Sequence, residues 1–281
     1  MKKIIITVFL SSLFLTACEQ QKNTEAEFKR PMGPNRLPYR VGNLGGKAVL
    51  LGEDAIFLEY EDSPVLKPEH RYKGYKDPPR DFNSVITGFG VDMKYPTGMP
   101  LVKYRDAPQE AYRQYKVDIK SPYHQWVHIG VDAGIRYHPN LTAAFINYTL
   151  DNKIKSKTHM ENVHYINVYI PAHQNEFGLD KYGPHPEWIS HYGLDKTDDM
   201  YIQKDNQGKV VTLIHCNNFV IHRLLAAQCQ MRWNLEPFMK VRLTANFARV
   251  HLKDWQLIRK NSEKLIESYA VDPKTLKRIA E

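Results

Sequence analysis

Histidines and serines are the side chains from which catalytic chemistry would be built in this 281-residue sequence, which contains 12 histidines. Ser190 lies in WISHY, which lacks the two glycines of the G-x-S-x-G turn that exposes a nucleophilic serine. The segments HMENVH (159–164) and HPEWISH (185–191) miss the spacing that places two imidazoles on one helix face. His124 and His128 share a predicted strand face but lie about 13 Å apart at the rise of a strand. The sequence therefore predicts no catalytic residue, no metal site and no cofactor, and the histidines are interpreted as scattered surface or core residues.

Cys18 is a candidate for a different chemistry, covalent lipid attachment. Lys2 and Lys3 precede an apolar run, which is too short to cross a bilayer and is typical of a signal peptide. The run ends in LTAC (15–18), which resembles a bacterial lipobox, where the cysteine is acylated and the chain is cleaved before it. This pattern predicts a signal peptide over residues 1–17 and a membrane anchor on Cys18. Glu19 replaces the aspartate of an inner-membrane retention signal, which favours the periplasmic side of the outer membrane. The alternative is an ordinary signal peptide with an incidental cysteine.

Cys216 and Cys229 remain once Cys18 carries the lipid. An even number of cysteines in an oxidising compartment indicates a disulfide. Two free buried thiols are the alternative, whereas the spacing is too long for a CxxC metal pair.

The composition is that of a folded, basic protein. A hydrophobic fraction of 42% allows a substantial core, and the formal net charge is +8. A basic excess suits an anionic lipid surface or an acidic partner protein, although a generally solvated basic surface also explains it. No nucleic-acid motif is present, so no nucleic-acid partner is expected.

The chain divides into a polar tether at 18–40 and a single globular domain at 41–281. SVITGFGVDMKY predicts a half-buried strand with glycines at close contacts, and Pro139 to Leu150 predicts a short helix. GKVVTLIHC, CQMRWNL and FMKVRLTANF predict an antiparallel meander, followed by a long amphipathic helix through Trp255 and Ile266. The predicted fold class is α+β, with an antiparallel sheet packed against a short central helix and a long C-terminal amphipathic helix.

Residues 172–200 are predicted to form a long loop with a binding role. This segment is rich in glycine, proline and aspartate and shows no long period. Aromatic side chains on a polar loop resemble interface anchors, so four of them are candidate partner-binding residues. The alternative is that they pack inward and hold the loop in place. The four residues are Phe177, Tyr182, Trp188 and Tyr192.

Several motifs resemble a known family. YRVGNLGGKAVLL, FLEYEDSP, SVITGFGVDMKYPTGMPL, MYIQKDNQGKVVTLIHCNN and the later LEP are similar, in this order, to the immunity lipoproteins encoded beside type VI secretion phospholipase effectors. The resemblance implies a non-enzymatic inhibitor that binds a cognate phospholipase (lipase) effector in the periplasm. It supplies no catalytic motif and no pattern for residues 172–200. A non-catalytic envelope lipoprotein with a structural or assembly role is the alternative.

Overall fold

The computed structural model describes residues 29–33, 36–63, 78–102, 109–137, 158–160, 163–165, 169–219 and 227–279. The predicted signal peptide, Cys18 and the helix predicted from Pro139 to Leu150 lie outside the described residues. The fold below is that of the described part of the chain.

The elements are fourteen strands and three α-helices among the described residues. The strands are β1 (Arg40–Leu44), β2 (Lys47–Leu51), β3 (Ile56–Tyr60), β4 (Ile86–Lys94), β5 (Met99–Pro100), β6 (Trp126–Asp132), β7 (Thr158–Met160), β8 (Val163–Tyr165), β9 (Tyr169–Glu176), β10 (Leu179–Pro184), β11 (Asp198–Lys204), β12 (Val210–Asn217), β13 (Gln228–Asn234) and β14 (Arg242–Ala248). The helices are α1 (Gln109–Asp118), α2 (Pro186–Tyr192) and α3 (Trp255–Glu267).

A ten-stranded antiparallel sheet organises the described chain. Its order is β3-β4-β6-β14-β13-β12-β11-β10-β9, with β5 paired to β4, while β1–β2 and β7–β8 form separate hairpins. The run from β9 to β14 is a meander in which each strand pairs with the next. The α+β class with an antiparallel sheet is therefore what the structure shows.

Alternation along β13 and β14 directs apolar side chains into one core. Met231, Trp233, Leu243 and Phe247 are buried, whereas the residues between them are only half-buried. Helix α3 covers this side of the sheet with a buried stripe that includes Trp255, Ile258, Leu265 and Ile266. Every second residue of the strands and a stripe of residues at helical spacing on α3 thus pack together in one apolar layer.

Strand β4 differs from the half-buried strand that was predicted, because residues on both of its faces are buried. A Cβ added at Gly88 would lie 3.0 Å from the Val131 carbonyl oxygen and 3.1 Å from Nη1 of Arg136. One added at Gly90 would lie 3.0 Å from Cε1 of His128. The glycines therefore allow neighbouring side chains to lie directly on the strand, which is the close packing that the sequence indicated.

The prediction of a long loop at residues 172–200 is wrong. These residues contain most of β9, all of β10 and α2, and the start of β11. Phe177 and Gly178, with φ of 55° and 80°, form a two-residue connection between β9 and β10, which fits the twist of a tight hairpin. His185 then caps α2 by accepting a hydrogen bond from the Glu187 amide, and Pro186 occupies the first turn. The short, irregular strands explain the absence of a clear period.

The last residues of the predicted tether form local structure, and Arg40 is bound to the domain. The Tyr39 amide donates to the Pro31 carbonyl over 2.8 Å, and Met32 and Pro38 form an antiparallel bridge. The Arg40 guanidinium donates to the carbonyl oxygens of Gly52 and Ala55. The proposal of a tether is therefore restricted to residues 18–28, which lie outside the described residues.

Candidate partner-binding surface

The aromatic residues predicted to bind a partner divide into buried and exposed groups. Trp188 is 5% exposed and contacts Tyr169 edge-to-face, with ring centroids 5.4 Å apart. Tyr182 and Tyr192 are partly buried against the same small apolar cluster. Trp188 thus holds α2 on the sheet, as in the alternative interpretation, and its indole is too buried to contact a partner.

Phe177 remains accessible at the tip of the β9–β10 hairpin. Its side chain is 50% exposed, while its carbonyl oxygen accepts a 2.9 Å hydrogen bond from Nε1 of Trp255. The backbone is therefore fixed to α3 and the ring faces outward, which is the arrangement of an anchor that loses little entropy on binding.

The β9 edge of the sheet is poorly suited to pairing with a strand of another protein. Pro171 has no amide hydrogen, and His173 has a positive φ of 52°. The β9–β10 register also shifts between Asp180 and Tyr182. A partner would have to recognise this edge through side chains rather than by adding a strand.

A polar surface covers the opposite side of the sheet from the main core. It is formed by the outward-facing residues of three adjacent strands, β6, β14 and β13, and we refer to it as the polar face. The register places these residues in three rows across the strands: His128, Asn246 and Gln230; Gly130, Thr244 and Arg232; Asp132, Arg242 and Asn234.

An ion pair and a hydrogen bond fix side chains on or beside the polar face. Arg242 donates through Nε and Nη2 to Oδ2 of Asp132, at 3.2 and 2.7 Å. Nδ1 of His128 lies 2.8 Å from Oδ1 of Asp92, a buried carboxylate on β4. Burial, followed by the charge and hydrogen bond of Asp92, raises the pKa of Tyr115 to about 12. Asp92 therefore links α1 to this side of the sheet.

Arg232 differs from these residues because it forms no ion pair with a described carboxylate. Its guanidinium donates to Oε1 of Gln230, and no carboxylate of the described residues lies within ion-pair distance. Burial and then the positive charge of Arg242 lower the pKa of Arg232, an effect that Asp132 partly offsets. A half-buried cation without a counter-ion is a favourable position for an anionic group of a partner.

Helix α1 packs beside β6 and carries exposed apolar side chains. Helix α1 lies beside Trp126, since Tyr115 contacts that indole edge-to-face at 5.1 Å and Asp118 accepts its Nε1–H at 3.1 Å. Val117 and Tyr123, on α1 and just after it, are 61% and 60% exposed. The combination of arginines with exposed apolar and aromatic residues is typical of protein interfaces.

The geometry of the polar face gives no catalytic group among the described residues. His128 has the orienting carboxylate of a general base, but its hydrogen bonds within this part of the chain go to Asp92 and to no hydroxyl group. No group of three or more histidine, cysteine, aspartate or glutamate side chains in the described ranges could hold a metal ion. The described helices include none long and apolar enough to cross a membrane.

The disulfide lies beneath this surface. Cys216 and Cys229 are directly opposed on β12 and β13, and a disulfide joins them. Both are buried on the core side, so the bond connects two strands of the sheet and offers no reactive thiol.

Comparison with known proteins gives a likeness of fold. No protein-family model matches the chain, and no curated protein sequence matches it. The structure of Smlt3025, an immunity protein of the Stenotrophomonas maltophilia type IV secretion system, matches with a TM-score of 0.50 and 13% identity, over 87% of this chain and 100% of that chain. The two chains share a fold. The iron-regulated outer membrane lipoprotein FrpD of Neisseria meningitidis matches with a TM-score of 0.40 and 10% identity, over 83% of this chain and 92% of that chain, which is too distant to support an inference.

The residues of the polar face were missed by sequence reasoning. Arg232, Arg242 and Asn246 occupy the polar positions of strands whose apolar positions were predicted correctly, and such positions usually face solvent. Their proximity to His128 and Asp132 depends on the pairing of β14 with β6, across more than 100 residues of sequence. The alternation of polar residues was the available signal, but it did not reveal the pairing.

Proposed function

We propose that this chain is a lipid-anchored immunity protein that binds and inhibits a cognate type VI secretion lipase effector in the periplasm. The observation that carries the proposal is the fold shared with Smlt3025, an immunity protein of a secretion system, over 87% of the chain. The motifs that resemble immunity lipoproteins of phospholipase effectors give the finer assignment to a lipase. The protein acts by binding, not by catalysis.

The polar face is the proposed contact surface for the effector. Arg232 has no described carboxylate within ion-pair distance, and Arg242 lies beside it with its charge paired to Asp132. A partner that places a carboxylate over Arg232 gains a charge-assisted hydrogen bond in a half-buried environment. Val117 and Tyr123, exposed on and after the helix that packs beside β6, would supply apolar contact. Electrostatic complementarity of this kind gives specificity and accelerates association.

The proposed lipid anchor on Cys18 would place the protein at the membrane surface. Acylation would hold the protein on the periplasmic side of the outer membrane, which is a surface that a phospholipase attacks. Confinement of the inhibitor to the layer in which its target works raises its effective concentration. Residues 18–28 would then form the tether that allows the domain to turn towards the effector.

A genetic experiment tests the proposal. We expect deletion of the gene to be lethal when the neighbouring lipase gene is intact, and harmless when the nucleophilic serine of that lipase is replaced by alanine. A Cys18→Ser variant should protect poorly, because the inhibitor is no longer held at the membrane. Equal viability of the deletion strain with active and inactive lipase would contradict the immunity function. It would favour instead an envelope lipoprotein with an assembly role.

A further inference from the structure

A cavity of about 830 Å³ lies away from the polar face, on the side of the domain where the N-terminal segment and α3 meet. Its walls come from residues 37–40, β2 and the turn after it, the turn that leads into β5, and the second half of α3. This volume is in the range of small-molecule sites, which is roughly 300–1,000 Å³. The proposed function does not use it.

Much of the cavity wall is apolar. Leu37, Leu50, Pro100 and Leu265 contribute aliphatic surface, and Tyr39 contributes an aromatic ring. Leu37 is 42% exposed and is accessible to a ligand in the cavity. Such a wall accepts a hydrocarbon chain at the cost of little polar desolvation.

The polar side chains of the wall are largely engaged within the protein. Ser268 donates its hydroxyl hydrogen to the Leu265 carbonyl over 2.7 Å, and Nδ2 of Asn261 donates to the Tyr95 carbonyl over 2.7 Å. The Arg40 guanidinium is bound to backbone carbonyl oxygens. A peptide backbone in this cavity would find few free partners for its own amides, which is costly on burial.

The wall also carries two carboxylates and two exposed cations. Asp54, 8% exposed, accepts a hydrogen bond from the Tyr269 hydroxyl, and Glu53 also has an interaction partner. Lys264 and Arg278 line the cavity and are exposed, and neither forms an ion pair or a side-chain hydrogen bond with another described residue. The wall carries three cations (Arg40, Lys264 and Arg278) and two carboxylates (Glu53 and Asp54), so its net formal charge is positive and it attracts an anion.

We infer that this cavity binds a single-chain amphiphile with an anionic head group, of which a fatty acid carboxylate is the simplest example. The hydrocarbon chain lies against Leu37, Leu50 and Leu265, and the head group is bound by Lys264 and Arg278. Phospholipases release such amphiphiles, so the ligand would be present where the proposed function places the protein. Binding itself requires no effector, and the inference can therefore fail or hold independently of the immunity function.

Calorimetric titration of the full chain carrying Cys18→Ser with dodecanoate tests the inference, with dodecan-1-ol as the uncharged comparison. We expect saturable binding of dodecanoate below its micellar concentration, and binding of the alcohol that is weaker by at least about tenfold, or 1.4 kcal/mol. The absence of saturable dodecanoate binding, or equal affinity for the two ligands, would overturn the inference. Tighter binding of a short peptide of leucine and glutamate would assign the cavity to a protein segment and overturn it as well.

Matched variants locate the ligand in the cavity. The double variant Lys264→Glu, Arg278→Glu should lose at least about tenfold in affinity, whereas Lys260→Glu, Lys274→Glu changes exposed lysines that do not line the cavity and should bind normally. Leu37→Glu places a carboxylate on the apolar wall and should also weaken binding. Leu276→Glu is its control, because Leu276 is 40% exposed and lies outside the cavity lining. Equal effects of the test and control variants would show that dodecanoate binds elsewhere and would overturn the inference.

Discussion

Arg249 and Arg232 are two half-buried arginines for which the structure predicts opposite effects of the same substitution. Arg249 donates to the carbonyl oxygens of Cys216 and Asn217, to Oδ1 of Asn218 and to the carboxylate of Asp199. It therefore connects the end of β12 to β11. Arg232 has a hydrogen bond to a neutral amide and a neighbouring positive charge.

Arg249→Met should lower the free energy of unfolding, because it leaves the Asp199 carboxylate without its partner. Asp199 has a side chain that is 11% exposed and would lose its cation, while Arg249 itself is 24% exposed. Breaking a buried ion pair in this way costs about 3–5 kcal/mol, and the partial exposure of the guanidinium places the expected loss near 3 kcal/mol. Arg232→Met removes no ion pair and relieves repulsion from Arg242, so its effect on the free energy of unfolding should lie within about 0.5 kcal/mol of zero.

Urea-induced unfolding of the full chain carrying Cys18→Ser, followed by tryptophan fluorescence, measures both effects. The additional variants Asp199→Asn and Asp199→Asn, Arg249→Met complete a double-mutant cycle, in which we expect a coupling energy of about 1.5 kcal/mol or more. Lys253→Met changes an exposed lysine near Arg249 and should be neutral. Similar destabilisation by Arg249→Met and Arg232→Met, or an additive cycle, would refute the distinction between a structural and a partner-binding arginine.

Three further predictions concern stability. Replacing Cys216 and Cys229 together by alanine should lower the free energy of unfolding by about 3 kcal/mol, because the disulfide closes a loop with a sequence separation of 13. Reduction of the unchanged chain with dithiothreitol should cause a loss of the same size. Trp188→Ala should cost about 3 kcal/mol and Phe177→Ala less than about 0.5 kcal/mol in urea unfolding, and the reverse order would contradict the burial of the indole. Burial, followed by a hydrogen bond to Asp254, raises the pKa of Tyr95 from 10.0 to about 12, so its contribution to stability is complete below pH 10 and is lost as the pH rises towards 12. Tyr95→Phe should therefore remove about 1 kcal/mol of the stability loss between pH 10 and pH 11, and an unchanged pH dependence would refute this assignment.

The meander and the C-terminal helix could be predicted from sequence because each carries a strong local period. Met231 and Trp233 alternate with polar residues on β13, and Trp255 and Ile258 recur at helical spacing on α3. The inward-facing positions of both elements agree with the structure. Helix α1 was not predicted, because it has no broad apolar stripe and contacts the sheet mainly through Tyr115 against Trp126.

The candidate site could not be predicted because its residues come together only through strand pairing, which local periodicity does not reveal. The polar face depends on which strands pair, and β6 pairs with both β4 and β14, which are distant from it in the sequence. Aromatic residues, in contrast, were visible in the sequence, but their burial was not. Trp188 lies in a polar stretch and is nevertheless buried, because α2 turns it onto β9, where it meets Tyr169.

Inhibition of the neighbouring lipase by the purified protein tests the central claim most directly. Titration of lipase activity on phospholipid vesicles with the Cys18→Ser chain should abolish activity at an equimolar ratio. Arg232→Glu should raise the inhibitor concentration required by at least about tenfold, because it places a negative charge opposite the partner carboxylate, whereas Lys253→Glu should not. Full lipase activity in the presence of a large excess of the protein would contradict the proposed function, and unchanged inhibition by Arg232→Glu would contradict the polar face as its contact surface.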